Sequence, residues 1–351
     1  MHERGPVMSE RLGPFKSREE AFAAAGAGLA FEDSTAWRRT PEEGHKNDSA
    51  CSYHVFKVGS GGVVCNWRRA VHAVWFDGVE WSSLTPRARQ QYERRMKAAR
   101  QEAEEEERRR HERAAAVARE IWRACAPAVS VGHEYLRRKG VRPVFNLGVL
   151  DAEDIRALYR THCDGDNFSL WCHDSQQKMM GPVLVVPCSH GGEFERISSL
   201  EFISEKGAKL CLKGGNMAGA CWLPPGLYES SGPVVIAEGI ATALSIRQVF
   251  GVPCVAARSC GNLGSVARLM RNRFPERALL IAGDVGNGEE CARQAAKAVG
   301  GQAVFPDFFE KLPNGETLEE AFRRQYRKAP TDFNDSLIIT GALAPGRKYD
   351  L

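Results

Sequence analysis

Two short apolar runs, each ending on an acid and opening into a helix-forming stretch, constrain this chain more than any other feature. Val234-Val235-Ile236-Ala237 leads into Glu238-Gly239, and further along Leu279-Leu280-Ile281-Ala282 leads into Gly283-Asp284-Val285-Gly286. Short apolar runs bounded by turn signals read as buried strands, and strand followed by helix, twice over, reads as a parallel arrangement. In parallel, Glu238 and Asp284 stand side by side at the carboxyl edge of one sheet, where open α/β sheets collect their ligands. A carboxylate pair in that place suits a divalent cation.

The surrounding sequence extends the pattern. Strands are predicted at 233–237, 253–257, 278–283 and 302–305, alternating with helices at 240–250, 262–273 and 288–299, a doubly wound order. Ala292, Ala295, Ala296 and Val299 recur at helical spacing and form the buried stripe of the third helix. A polar insert after Pro306-Asp307 precedes Thr331-Asp332-Phe333-Asn334-Asp335.

These residues resemble the Toprim domain of bacterial DnaG-type primases, and most of all the toprim proteins of plasmids, phages and integrative elements. In that family the first strand ends in Glu-Gly, the second in Asp-x-Asp followed by Gly, and the carboxylates hold Mg²⁺. Glu238 and Asp284 match the pattern. The second aspartate does not: Gly286 stands in its place, or the loop is one residue short. The resemblance implies catalytic roles for Glu238 and Asp284, with Mg²⁺ or Mn²⁺ as cofactor and Asp332 and Asp335 as further metal-proximal carboxylates. Loss of one carboxylate weakens such a site, and an inactive, structural Toprim domain stays open. Glu289 and Glu290 either supply the missing charge or lie on a helix surface.

The resemblance covers Tyr135 to Asp335. His133-Glu134-Tyr135-Leu136-Arg137-Arg138-Lys139-Gly140-Val141 is similar to the opening of the catalytic core of bacterial primases, and Arg137, Arg138 and Lys139 are candidates for gripping single-stranded template. Gly181–Pro187, Ile197–Ile203 and Lys209–Gly215 read as antiparallel strands joined by glycine-rich turns. Lys209 and Lys213 flank a strand and a Gly-Gly turn, which lets backbone approach phosphate while lysine adds a mobile charge. By resemblance they contact template or incoming nucleotide triphosphate; as bare residues they equally suit a hairpin surface. Asn262 is expected to cap the helix that follows it.

Residues 1–84 read as a small α+β module, with a helix from Ser17 to Leu29 capped by Ser17 and Glu20, and strands at 52–58, 62–67 and 72–76 around a Gly59-Ser60-Gly61 turn. DnaG-type primases carry a zinc ribbon at this end. Cys51, His54, Cys65 and His72 are the only approach to one, their spacing is too loose, and no CxxC occurs, so zinc is not expected. A ribbon-like fold without metal, held by Trp67, Trp75 and Phe76, is the preferred reading. Residues 85–126 contain twelve arginines or lysines against eight glutamates, which matches the whole formal excess of +4. Such a sequence reads as a solvated helical linker that packs little.

The expected architecture is thus α/β: a template-binding or degenerate zinc-ribbon-like module (1–84), the linker (85–126), an α+β primase-core subdomain (127–230) and a Rossmann-like, mostly parallel Toprim domain (231–340). No run reaches the roughly 18 apolar residues that span a bilayer, and the first residues lack a signal-peptide core. A cytoplasmic protein with its eleven cysteines reduced is expected. The function implied by resemblance is a DNA primase making short RNA primers on single-stranded DNA from nucleotide triphosphates during replication of a mobile element. No Gly-x4-Gly-Lys-Ser/Thr pattern occurs, so a separate helicase is the expected source of unwinding. The alternatives are a Toprim nuclease, or a catalytically impaired single-stranded-DNA binding protein.

Overall fold

The computed structural model describes residues 10–29, 37–45, 50–56, 61–66, 69, 71–76, 85–163, 168–172, 175–189, 197–286 and 288–340. The chain forms two units, residues 1–108 and 109–351.

In the first unit β1 (Glu10–Phe15) and α1 (Arg18–Ala25) precede β2 (Arg38–Thr40), β3 (Cys51–Val55), β4 (Gly62–Asn66) and β5 (Val71–Trp75). One sheet results, in the order β1-β5-β4-β3-β2. Ser17 caps α1 by accepting from the Glu20 N–H, and Gly26, in a left-handed conformation, ends the helix earlier than Leu29. Phe22 of α1 packs on Tyr53 and Trp75. Cys51 lies in this core, while Cys65 is paired with Ser52, its neighbour in sequence, whose side chain points to the other face. Cys51 therefore faces away from the other three, while His54, Cys65 and His72 share one face of the sheet. Trp67, Gly59 and Ser60 fall outside the described residues.

The helix α2 (Pro86–Ala124) follows. Its last turns overturn the expectation of a helix that packs little: Ala114, Val117, Ala118 and Ile121, one stripe at helical spacing, are buried in the core beneath the next sheet. The alanine richness that read as simple helix propensity is what allows the close approach.

The second unit continues with β6 (Ala126–Pro127), α3 (Ala128–Val131), α4 (Glu134–Arg138), β7 (Gly148–Asp151), α5 (Ala152–His162), β8 (Trp171–Cys172), β9 (Gln177–Lys178), β10 (Pro182–Ser189), β11 (Ile197–Ser204) and β12 (Lys209–Cys211). An antiparallel sheet, β12-β11-β10-β7-β6, places the Lys209 end of β12 opposite Ile203. The remaining elements are β13 (Val234–Ala237), α6 (Ile240–Phe250), β14 (Cys254–Ala256), a 3₁₀ turn at Cys260–Asn262, α7 (Leu263–Arg273), β15 (Leu279–Ala282), α8 (Glu289–Val299), β16 (Gln302–Val304), α9 (Leu318–Tyr326) and α10 (Phe333–Thr340). The strands β14-β13-β15-β16 form a wholly parallel sheet, flanked by α6 on one face and α7 and α8 on the other. The reduced-cysteine expectation fails for one pair: Cys260 and Cys291 are joined by a disulfide.

Among the described residues no helix is long and apolar enough to cross a membrane.

Candidate functional site

Register fixes the two acids. Ala237 pairs with Ala282 at the carboxyl ends of adjacent parallel strands, and Glu238 and Asp284 follow within two residues. Gly283 is required between them: a Cβ there would lie 2.5 Å from the Phe305 ring and 2.6 Å from the Ala292 methyl. Bond by bond, the backbone beyond β14 wraps the end of β13. The N–H of Ala257 donates to the Ala237 carbonyl at 2.8 Å, and that of Arg258 to the Glu238 carbonyl at 2.6 Å.

The acids share a field. Burial first, then the charges of Asp332 and Glu238, push the Asp284 carboxyl up to about 7. One of its oxygens, Oδ1, is buried and finds no hydrogen-bond partner among the described residues. Glu238 is raised too, by burial, against the Cys260 N–H and the Lys209 ammonium, which pull it down. Lys209 is the cation of the group. Burial lowers it, but Tyr135, Glu201, Asp332 and Glu238 together hold it above its ordinary value. A Cβ on Gly239 would sit 3.6 Å from Lys209 Nζ, which places the ammonium over the Glu238 turn.

Asp332 immediately precedes α10, and Asp335 lies in its first turn. The Val285 N–H donates to the Thr331 carbonyl at 2.7 Å, docking this segment against the Asp284 loop. Both carboxylates are engaged there: Asp332 Oδ1 accepts the Asp335 N–H at 2.8 Å, and Asp335 Oδ2 accepts the Thr331 N–H at 2.9 Å. Lys139 joins the group through its charge on Asp332. Arg137 does not, being bound through two bonds of 2.7 Å to Glu134 of its own helix. Arg138 donates to the Glu205 carbonyl on the hairpin before β12. Lys213 lies elsewhere, in a cleft of about 550 Å³ with Arg110, Arg113 and Tyr159.

The loop that lacks the second aspartate is built differently. Gly286 has φ +91°, its N–H donates to Glu289 Oε1 at 3.1 Å, and Glu289 also bonds Arg293. Glu290 accepts from Gln294. Both glutamates are spent on the start of α8. Asn262 departs from the capping expectation: its Oδ1 accepts the Gly219 N–H, and its Nδ2 donates to the carbonyls of Ala220 and Ala257. It ties the loop after β12 to the end of β14.

The donors available are carboxylate oxygens, which suit a hard cation such as Mg²⁺, and the partnerless Asp284 oxygen is a ligand in waiting. Among the described residues no group of three or more His, Cys, Asp or Glu side chains stands at metal-holding distance. Mg²⁺ is commonly held by one or two carboxylates with waters and substrate phosphates completing the shell, and the Glu238–Asp284 pair fits that mode. Sequence reasoning missed Tyr135, Glu201 and Arg258, whose approach to the acids depends on long-range packing that no local motif announces.

Comparison with known proteins agrees with this geometry. The Toprim domain family model matches residues 233–342. Two proteins named DNA primase TraC, both from Escherichia coli, are 35% and 37% identical to this chain over 122 and 123 residues. Each match takes in 31% of this chain but only 12% and 8% of the relatives, so the chain spans a small part of their length. Among solved structures, a DnaG primase catalytic domain bound to ssDNA covers 66% of this chain and 84% of its own at TM-score 0.38 and 13% identity. The Aquifex aeolicus primase, with its zinc-binding and RNA polymerase domains, covers 84% and 83% at TM-score 0.37 and 14% identity. At those scores the structural likeness carries no weight of its own. The strand-end acids, the parallel sheet and the family match agree: this chain carries a Toprim domain at residues 233–342, and part of it is similar in sequence to the proteins named DNA primase TraC.

Proposed function

We propose that this chain synthesises short RNA primers on single-stranded DNA from nucleoside triphosphates, using Glu238 and Asp284 as the catalytic carboxylates. The observation that supports it best is the Ala237–Ala282 register, which sets the two acids at neighbouring strand ends with an Asp284 oxygen lacking a partner among the described residues. Mg²⁺ or Mn²⁺, held by Glu238 and Asp284 with Asp332 nearby, would supply charge to the triphosphate and acidify the attacking 3′-hydroxyl. Glu238, whose carboxyl is raised by burial, would organise the metal or assist in taking up that proton. Lys209 offers its ammonium to the phosphates over the same turn. Lys139 and Arg138 extend the cation line toward the template, and Asp335 keeps α10 in place. The 1–84 module is assigned to template binding and a separate helicase to unwinding.

Incubation with single-stranded DNA, labelled nucleotides and Mg²⁺ or Mn²⁺ tests this. Short products that vanish in Glu238→Ala support priming. Cleaved template points instead to a Toprim nuclease, and binding with neither product to an impaired DNA-binding protein.

A further inference from the structure

Arg258 stands where the chain leaves β14, and nothing in its sequence neighbourhood marks it. Its φ is +79°, a left-handed conformation that costs a residue with a Cβ about 1 kcal/mol or more. Its side chain is buried, 5% exposed, as is its ion-pair partner Glu201 on β11, with Nη2 3.5 Å from Glu201 Oε1. The same nitrogen lies 2.7 Å from Cys211 Sγ, and Nη1 is 3.6 Å from Met217 Sδ. Nε is buried with no hydrogen-bond partner among the described residues.

A strained backbone together with an incompletely satisfied buried cation persists only where its surroundings over-determine it, and such residues cluster at functional sites. Here the strain has a visible product. The left-handed turn at 258 redirects the chain just where the Arg258 N–H bonds the Glu238 carbonyl at 2.6 Å. We infer that Arg258 is a positioning residue for Glu238: its guanidinium, anchored to Glu201 beneath the antiparallel sheet, holds the turn whose N–H bonds the Glu238 carbonyl and so fixes where the Glu238 side chain emerges. The inference rests on the reading of Glu238 as a catalytic carboxylate.

The test compares wild type with Arg258→Met/Glu201→Gln and Arg258→Gly/Glu201→Gln, following primer synthesis, Mn²⁺ affinity by electron paramagnetic resonance and thermal unfolding. Changing both partners avoids stranding a buried charge. Glycine adopts the left-handed turn freely but leaves the larger cavity, whereas methionine fills the space and resists the turn. The methionine variant is expected to lose about tenfold in kcat and in Mn²⁺ affinity, with KM for nucleotide unchanged. The glycine variant is expected to unfold at lower temperature yet stay within about threefold of wild type in both readouts. A role in stability alone would rank activity with unfolding temperature, and that order overturns the inference, as does a methionine variant equal to wild type. Should neither double variant fold, Arg258→Lys is read instead. It keeps the charge without the forked reach, and an unaltered kcat in it also overturns the inference. Wild type that neither binds Mn²⁺ nor primes removes the catalytic reading of Glu238 and the positioning role with it; active wild type with unaffected variants removes the positioning role alone.

Discussion

Asn334, fully buried on α10, donates through Nδ2 to the Lys139 carbonyl at 2.7 Å and to Ser245 Oγ at 2.9 Å. One amide thus fastens the end of α4, the middle of α6 and the helix that begins after Asp332 and carries Asp335. Asn334→Leu leaves a buried carbonyl and hydroxyl without their donor, a change that costs about 1–3 kcal/mol. Urea unfolding is expected to show a midpoint lowered accordingly at unchanged slope. A wild-type midpoint would mean that the amide is dispensable.

Asp284 gives the protein a pH dependence of known sign. Its folded carboxyl titrates near 7, well above the ordinary value of 3.8, because it is buried among Asp332 and Glu238. The folded state therefore binds more protons than the unfolded state between about pH 4 and 7, so stability falls as pH rises through that window and levels off above it. In the metal-free protein, Asp284→Asn is expected to flatten this fall, and Mg²⁺ at pH 8 to raise the unfolding temperature of wild type but not of the variant. Parallel pH profiles for the two proteins would refute the assignment.

Gly286→Asp writes the family's second aspartate into the loop and is expected to fail as a repair. Nothing lies within 4 Å of a Cβ at this position, so space is no obstacle, but φ +91° is strained for any side chain. The backbone cost is about 1 kcal/mol. Gly286→Asp and Gly286→Ala should lower the unfolding temperature alike, with neither tightening Mn²⁺ binding. A clear gain in Mn²⁺ affinity for the aspartate variant alone would show that the loop relaxes to reach the ion.

The parts of this site that were legible in sequence are those that local pattern determines. Glu238 and Asp284 could be placed because an apolar run followed by a helix pattern leaves little choice about where its last residue emerges. Arg258 and Glu201 could not, since their pairing joins two sheets and neither residue sits in a recognisable motif. The first strand, with Gly13 and Pro14 inside it, and the second, Arg38-Arg39-Thr40, were invisible for a related reason: neither carries the alternation that marks a half-buried strand. The buried end of α2 was overlooked because alanine counts equally toward helix propensity and close packing, and only the neighbour decides which.

The Cys260–Cys291 disulfide joins the turn that follows Arg258, whose N–H bonds the Glu238 carbonyl, to the first turn of α8. Thiol titration of the denatured protein is expected to give nine groups before reduction and eleven after it. A cross-link closing a loop of this size stabilises by about 3 kcal/mol through the unfolded chain. Cys291→Ser should lower the unfolding temperature by several degrees, an effect that reductant reproduces in wild type. Eleven thiols without reduction would show that the pair stays open in solution.

Two lysines that look alike in sequence are expected to part company in kinetics. Lys209 stands over the Glu238 turn, where its ammonium lies in the field of the acids. Lys213 lies in the separate cleft with Arg110 and Arg113, cations from α2. Lys209→Ala is expected to raise KM for nucleotide about tenfold, the loss of one charge-assisted bond. Lys213→Ala should leave that KM alone, weaken binding of oligothymidylate, and reduce the slope of log affinity against log salt by about 1. Steady-state priming and a salt titration of DNA binding read the two effects separately. If both variants change the same parameter by the same factor, the acid site and the basic cleft act as one surface, and the division of labour between the lysines is wrong.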